Sequence, residues 1–182
     1  MATTSKILTY EEWLALPEVE GVEEVVNGEI RKMPPNKWNH TRVVEAMARQ
    51  LRARLNPEAT YVVTSVFGLV ARLEPLALRV PDLAVFHADR IVEQGGYIHS
   101  APELVVEVLS PANTRSERAE KLQDYESLAV PEVWVVSPEA QTVEVLLLQN
   151  GRLATTLLLR EGELKPIRFP EATIDIAAIW PK

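Results

Sequence analysis

The segment Leu104-Val105-Val106-Glu107-Val108-Leu109 constrains this chain more than any other, because it is a run suited to burial in a sheet with one acid inside it. An unpaired carboxylate in apolar surroundings is strongly destabilising or changes its protonation state. A fold that accepts this strand must give Glu107 a partner, and a metal ion is among the few strong enough. A second apolar stretch, Leu78 to Phe86, repeats the anomaly at Asp82, directly after Pro81. Two acids on two apolar strands close in sequence point to a hydrolytic metal site.

The 182 residues suit one domain with a sizeable core, and nothing marks a dividing linker. No apolar run is long enough to cross a membrane, and Met1 to Lys6 lack the apolar core of a secretion signal. The absence of cysteine excludes disulfides and thiolate metal sites, and fits a cytoplasmic protein. A net charge of −7 argues against nucleic acid as a partner, since phosphate binding relies on clustered positive charge. Net charge describes the whole molecule, however, and a local basic face still steers a polyanion.

Along the chain the order is mixed α/β. Thr9-Tyr10-Glu11-Glu12 reads as a capping box opening a short helix that stops before Pro17. Glu24 to Ile30 is a hairpin signal, with Asn27-Gly28 suited to a type I′ turn. Asn39 to Leu55 reads as a long helix; Tyr61 to Leu73, Leu78 to Phe86 and Glu103 to Ser110 read as strands. Thr114 to Leu128 is a helix capped by Thr114 and Glu117, followed by strands Glu132 to Ser137, Thr142 to Leu148 and Leu153 to Leu159. The runs Val143 to Leu148 and Leu157 to Leu159 suggest a homodimer edge, and Ile174 to Trp180 a short packing element.

Helical phase assigns faces. On the first long helix Val43, Met47, Leu51 and Leu55 form an apolar stripe, opposite Arg42, Glu45, Arg49 and Arg52. That polar side is either an ordinary solvated face or a patch that tracks phosphates. His40 points inward, as a hydrogen-bonded core residue or as part of a site. On the second helix Arg118, Ala119, Leu122, Tyr125 and Ala129 point inward, with Lys121 at the edge of that face. Its ammonium either runs along the core toward the sheet or snorkels outward.

Pro81-Asp82 and then Glu107-Val108-Leu109, on adjacent strands between two helices, resemble the PD-(D/E)XK nuclease superfamily. The flanking text is similar to one branch, the Uma-type restriction endonuclease family of prokaryotes. The matching segments are Glu24 to Glu29, His40, Val80 to Leu83, Ala101 to Pro111, Lys121 to Tyr125 and Val130 to Trp134. The resemblance implies a single restriction-endonuclease-like α/β domain over residues 1–182 with a core at about 36–138. Its central mixed sheet would be flanked by helices, with an N-terminal helix and hairpin and extra C-terminal antiparallel strands. It further implies an endonuclease of DNA, a hydrolase acting on ester bonds, with Mg²⁺ or Mn²⁺ as cofactor. In that pattern Asp82, Glu107 and the backbone carbonyl of Val108 hold the metal, and Asp82, Glu107 and a lysine form the catalytic set.

The lysine is where this chain departs from the pattern. Residues 107 and 109 share a strand face, so the superfamily position falls on Leu109, which cannot do a lysine's work. Some superfamily members carry the lysine on the following helix, which makes Lys121 the candidate. Arg118 competes as a stabiliser of charge but is a poor base. His40, Arg118 and Tyr125 stand as accessory candidates, and Glu24 as a third acid or, with better odds, a solvated hairpin residue. Asp82 and Glu107 have a structural alternative too, as buried partners of Arg79 or Arg118. Three functions follow: a metal-dependent nuclease, a nucleic-acid-binding or protein-interaction module that keeps the fold without hydrolysis, and a hydrolase of a small phosphoester.

Overall fold

The computed structural model describes residues 7–17, 19–64, 67–111 and 114–181. The segment 1–6, read above for a leader, lies outside these. Helix α1 (Tyr10–Leu14) begins where Thr9 and Glu12 exchange both capping bonds. Strands β1 (Val22–Val26) and β2 (Glu29–Met33) form the expected hairpin, with φ of 51° at Asn27 and 80° at Gly28. Positive φ at both turn residues defines the type I′ turn that asparagine and glycine tolerate. Helix α2 (Trp38–Arg52) buries Val43, Met47 and Leu51 completely, as the stripe predicts. On its other side Glu45, Arg49 and Arg52 are exposed, and Arg52 braces the carbonyl of Val62.

Strands β3 (Thr60–Thr64), β4 (Leu69–Leu73), β5 (Leu76–Arg79) and β6 (Leu83–His87) follow. The sequence predicts two longer strands here, and the structure divides both. Tyr61 to Leu73 becomes β3 and β4, which lie in different sheets, with residues 65–66 of that reading outside the described set. Leu78 to Phe86 breaks at Val80-Pro81-Asp82 into β5 and β6, again in different sheets. Proline has no amide to give a ladder, so the chain leaves one sheet there and enters the other at Leu83. Asp82 therefore stands at the entrance of a strand, not within one.

Strands β7 (Glu93–Gln94) and β8 (Tyr97–Ile98) precede β9 (Leu104–Val108). Helix α3 (Arg115–Ser127) opens with the expected Thr114–Glu117 capping box and leads to β10 (Glu132–Ser137). Strands β11 (Thr142–Gln149) and β12 (Arg152–Leu159) make a second hairpin; β13 (Glu163–Leu164) and β14 (Ile174–Asp175) pair with each other.

Among the described residues the central sheet has the order β12-β11-β10-β9-β6-β3, all antiparallel except β9 with β10. A parallel pair needs a crossover, and α3 provides it. The second sheet has the order β2-β1-β5-β4-β8-β7. One face of the central sheet packs Leu83, Val85, Leu104, Val106 and Trp134 against the stripe of α2. The other sets Val105, Val133 and Val135 against Tyr125 of α3 and Leu69 of the second sheet. Strand alternation places Glu107 on this second face, toward α3. Ile174, Ile176 and Ile179 are buried in the α2-side core, so the C-terminal segment is the packing element expected. No helix among the described residues is long and apolar enough to cross a membrane.

Candidate active site

Glu107 is buried, and both of its oxygens are engaged. Lys121 Nζ donates to Oε2 at 3.0 Å and the Tyr125 hydroxyl donates to Oε1. Burial raises the Glu107 carboxyl above its ordinary range; Lys121 works against this, while Asp82 and Glu24 reinforce it. Burial lowers the Lys121 pKa, but the neighbouring Glu107, Glu24 and Asp82 more than offset this and hold the ammonium charged well into alkaline pH. Burial also pushes the Tyr125 hydroxyl far up, with Glu107 adding to the effect. Tyr125 is thus a committed donor.

Asp82 reaches the same place from the end of β6. The β6–β9 ladder ends with Leu83 opposite Val106, so the Val108 amide has no strand partner on that side. The Asp82 carboxylate takes it, accepting from Val108 N at 2.8 Å. A buried amide would otherwise be left unsatisfied. His40 Nε2, from the first turn of α2, lies 3.1 Å from the same oxygen. His40 is therefore both a buried residue and a neighbour of the site, joining the two alternatives its phase left open. The Leu109 amide donates to Val136 of β10. Because the intervening peptide is planar and trans, the Val108 carbonyl points the opposite way, toward the Asp82 side.

Lys121 points in, which its position at the edge of the helical face left undecided. The inward face of α3 is rotated from the phase reading: Asp124 and Tyr125 are buried, whereas Ala119 and Ala129 are exposed. The helix ends at Ser127, and Ala129 lies beyond it at a φ of 60°. Arg118 turns to Glu144 of β11 at 2.6 Å and is only part-buried. Arg79 holds Glu24 and Asp124. Glu107, for its part, is held by Lys121 and Tyr125 and not by either arginine.

Glu24 overturns its solvated reading. It is 2% exposed, and its oxygens accept from Val80 N at 3.1 Å and Arg79 Nη1 at 3.0 Å, with Lys121 Nζ at 3.2 Å. The hairpin looked free in sequence, but β1 pairs with β5, Val25 opposite Leu78, which sets Glu24 beside Arg79. Sequence reasoning named Arg79 only as a structural partner and missed Asp124. A signal for Arg79 was present, since it is a charge in the apolar run Leu76-Ala77-Leu78-Arg79-Val80, the anomaly that flagged Glu107.

A small cleft of about 80 Å³ lies over this cluster, lined by Glu24, Arg79, Glu107, Leu109 and Lys121, with Arg31, Glu117 and Arg118 among its other walls. On the far side of Leu109 a second cleft is lined by His40, Ser110 and Trp38, of which only Trp38 is exposed. Among the described residues no three His, Asp or Glu side chains converge as a metal-holding group. The groups that would be available to a metal are two carboxylates, Asp82 and Glu107, with the Val108 carbonyl. These are hard oxygen ligands in the number Mg²⁺ takes from a protein when water and phosphate fill the rest. The raised Glu107 carboxyl is short of compensating charge even with Lys121 beside it, and a divalent cation there would supply it. The residues present fit the ion.

A mixed sheet flanked by helices, with acids from two neighbouring strands and a lysine from the crossover helix, defines a restriction-endonuclease-like α/β protein. The chain belongs to the Uma2 family, whose model, described as "Putative restriction endonuclease", matches residues 9–177. Among solved structures it is similar to one described as a "putative nuclease" from Anabaena variabilis. That likeness has a TM-score of 0.78 at 22% identity, covering 95% of this chain and 97% of the other, and shows the shared fold. No curated protein matches the chain.

Proposed function

We propose that the protein is a divalent-metal-dependent endonuclease hydrolysing phosphodiester bonds in DNA. The observation that carries this is the Lys121 ammonium, delivered from a helix onto Glu107 at the wall of a cleft, with Asp82 at the entrance of the adjoining strand. Asp82, Glu107 and the Val108 carbonyl would hold Mg²⁺ or Mn²⁺. Such an ion, when bound, neutralises charge on the scissile phosphate and acidifies a water. Lys121 stays protonated and donates to a phosphate oxygen or to the entering water; it does not act as the base. Tyr125 fixes the Glu107 carboxylate and His40 the Asp82 carboxylate, so both face the phosphate in set orientations. Arg118 lines the mouth of the cleft, where a phosphate backbone would pass. Overall, water adds to phosphorus, one ester bond to oxygen breaks, and the leaving oxygen takes a proton. Within this reading the working unit is a homodimer joined at the β12 edge, where Leu157 and Leu158 are exposed.

The test is a purified-protein assay on supercoiled and linear DNA with Mg²⁺, Mn²⁺ or chelator. Wild type should nick in a metal-dependent way, and Asp82→Asn, Glu107→Gln and Lys121→Ala should each lose at least about 100-fold in rate while keeping their fold. Undiminished cleavage by Glu107→Gln, or cleavage that survives chelator, would sink the mechanism. A second reading rests on Leu109 in the usual lysine position: a module that binds nucleic acid without cutting. Retained binding with no cleavage of any nucleic acid would favour it.

A further inference from the structure

Lys121 has two carboxylate partners where its place on Glu107 accounts for one. Its Nζ lies 3.0 Å from Glu107 Oε2 and 3.2 Å from Glu24 Oε1. Glu24 does not depend on the lysine for its position. Val80 N and Arg79 hold it from behind, and Arg79 is gripped in turn by Asp124, to which its Nε donates at 2.7 Å. Glu24 is therefore a fixed, buried anion on the lysine's far side.

We infer that Glu24 is a positioning residue, the second seat of Lys121, which keeps the ammonium beside the site when a divalent cation takes Glu107. The inference rests on the metal reading above. Both Glu107 oxygens are engaged, one by Tyr125 and one by Lys121. A cation arriving between Asp82 and Glu107 must draw an oxygen away from the lysine. A buried ammonium stripped of its carboxylate is strongly disfavoured. Glu24 removes that penalty, because it already lies within ion-pair distance and nothing has to rearrange. Lys121 is then freed from Glu107 but not from the cleft, charged and able to meet a phosphate oxygen.

The experiment is calorimetric titration of Mn²⁺ into the full chain as wild type, Glu24→Gln, Lys121→Met and the double variant, with melting curves to verify folding. Lys121→Gln replaces the methionine variant if that one does not fold. Glu24→Gln should weaken Mn²⁺ binding on the order of tenfold, since the lysine loses its alternative seat. Lys121→Met should bind Mn²⁺ at least as well as wild type, and adding Glu24→Gln to it should change affinity by less than about twofold. An equal loss from Glu24→Gln in both backgrounds would make Glu24 a ligand and overturn the inference. No loss in either background would reduce Glu24 to a brace and overturn it equally. Asp82→Asn is the control on the underlying reading: wild-type Mn²⁺ binding that ignores Asp82 would defeat the metal site itself, whatever Glu24 does.

Discussion

Glu107 is held as a carboxyl that burial pushes toward its protonated form, and this has a measurable pH signature. An acid whose folded pKa is raised stabilises the fold fully below its ordinary value of 4.5 and loses that contribution as pH rises through the folded value. Glu107→Gln mimics the protonated form at every pH. In chelator, its unfolding free energy relative to wild type should therefore improve as pH climbs from acid to neutral, as read by urea denaturation. A difference that stays flat would contradict the buried, undercompensated carboxyl. Lys121, also raised, supports the fold through neutral pH and loses that support only above its ordinary 10.5. Wild type should consequently soften in strongly alkaline buffer more than Lys121→Met does.

At the scale of elements, α3 decides the site by carrying the lysine that β9 lacks. Leu109 shares the strand face and the cleft wall with Glu107, so the two lysine positions are geometrically exchangeable. Leu109→Lys introduced into Lys121→Ala should recover part of the metal-dependent nicking, whereas Leu109→Met should recover none. The capping box at the start of α3 is a separate matter, two turns from Lys121. Thr114→Ala should lower unfolding free energy by about 1 kcal/mol, with kcat little changed, measured by denaturation and nicking on one preparation. The break at Pro81 matters in the same way. By ending the β6 ladder it frees the Val108 amide and gives Asp82 a fixed hydrogen bond in place of a strand position.

The whole molecule joins two sheets at this cluster, and the proposed metal site lies where they meet. Mn²⁺ at about 100 times its dissociation constant should raise unfolding free energy by roughly 2.7 kcal/mol; Asp82→Asn should abolish that gain in a thermal melt. The proposed dimer predicts that Leu158→Lys at the exposed edge gives a monomer by sedimentation while leaving metal binding intact. Much of this was legible in the sequence. Asp82 and Glu107 announced themselves as charges in apolar strands. Both capping boxes, the Asn27-Gly28 turn, the α2 stripe and the strand after α3 follow from local rules of spacing, capping and turn chemistry. Those rules act over a few residues, so the chain alone marked most of its longer elements and pointed to two conspicuous acids. Tertiary structure decided the rest. Whether Lys121 points in, whether Glu24 is solvated or buried, and which sheet each half of a long apolar stretch joins all depend on partners far away in sequence. Glu24 meets Arg79 only because β1 docks on β5, and it meets Lys121 only because α3 crosses above both. A charge chooses its orientation by the nearest compensating charge, and in this chain those neighbours are assembled by the fold.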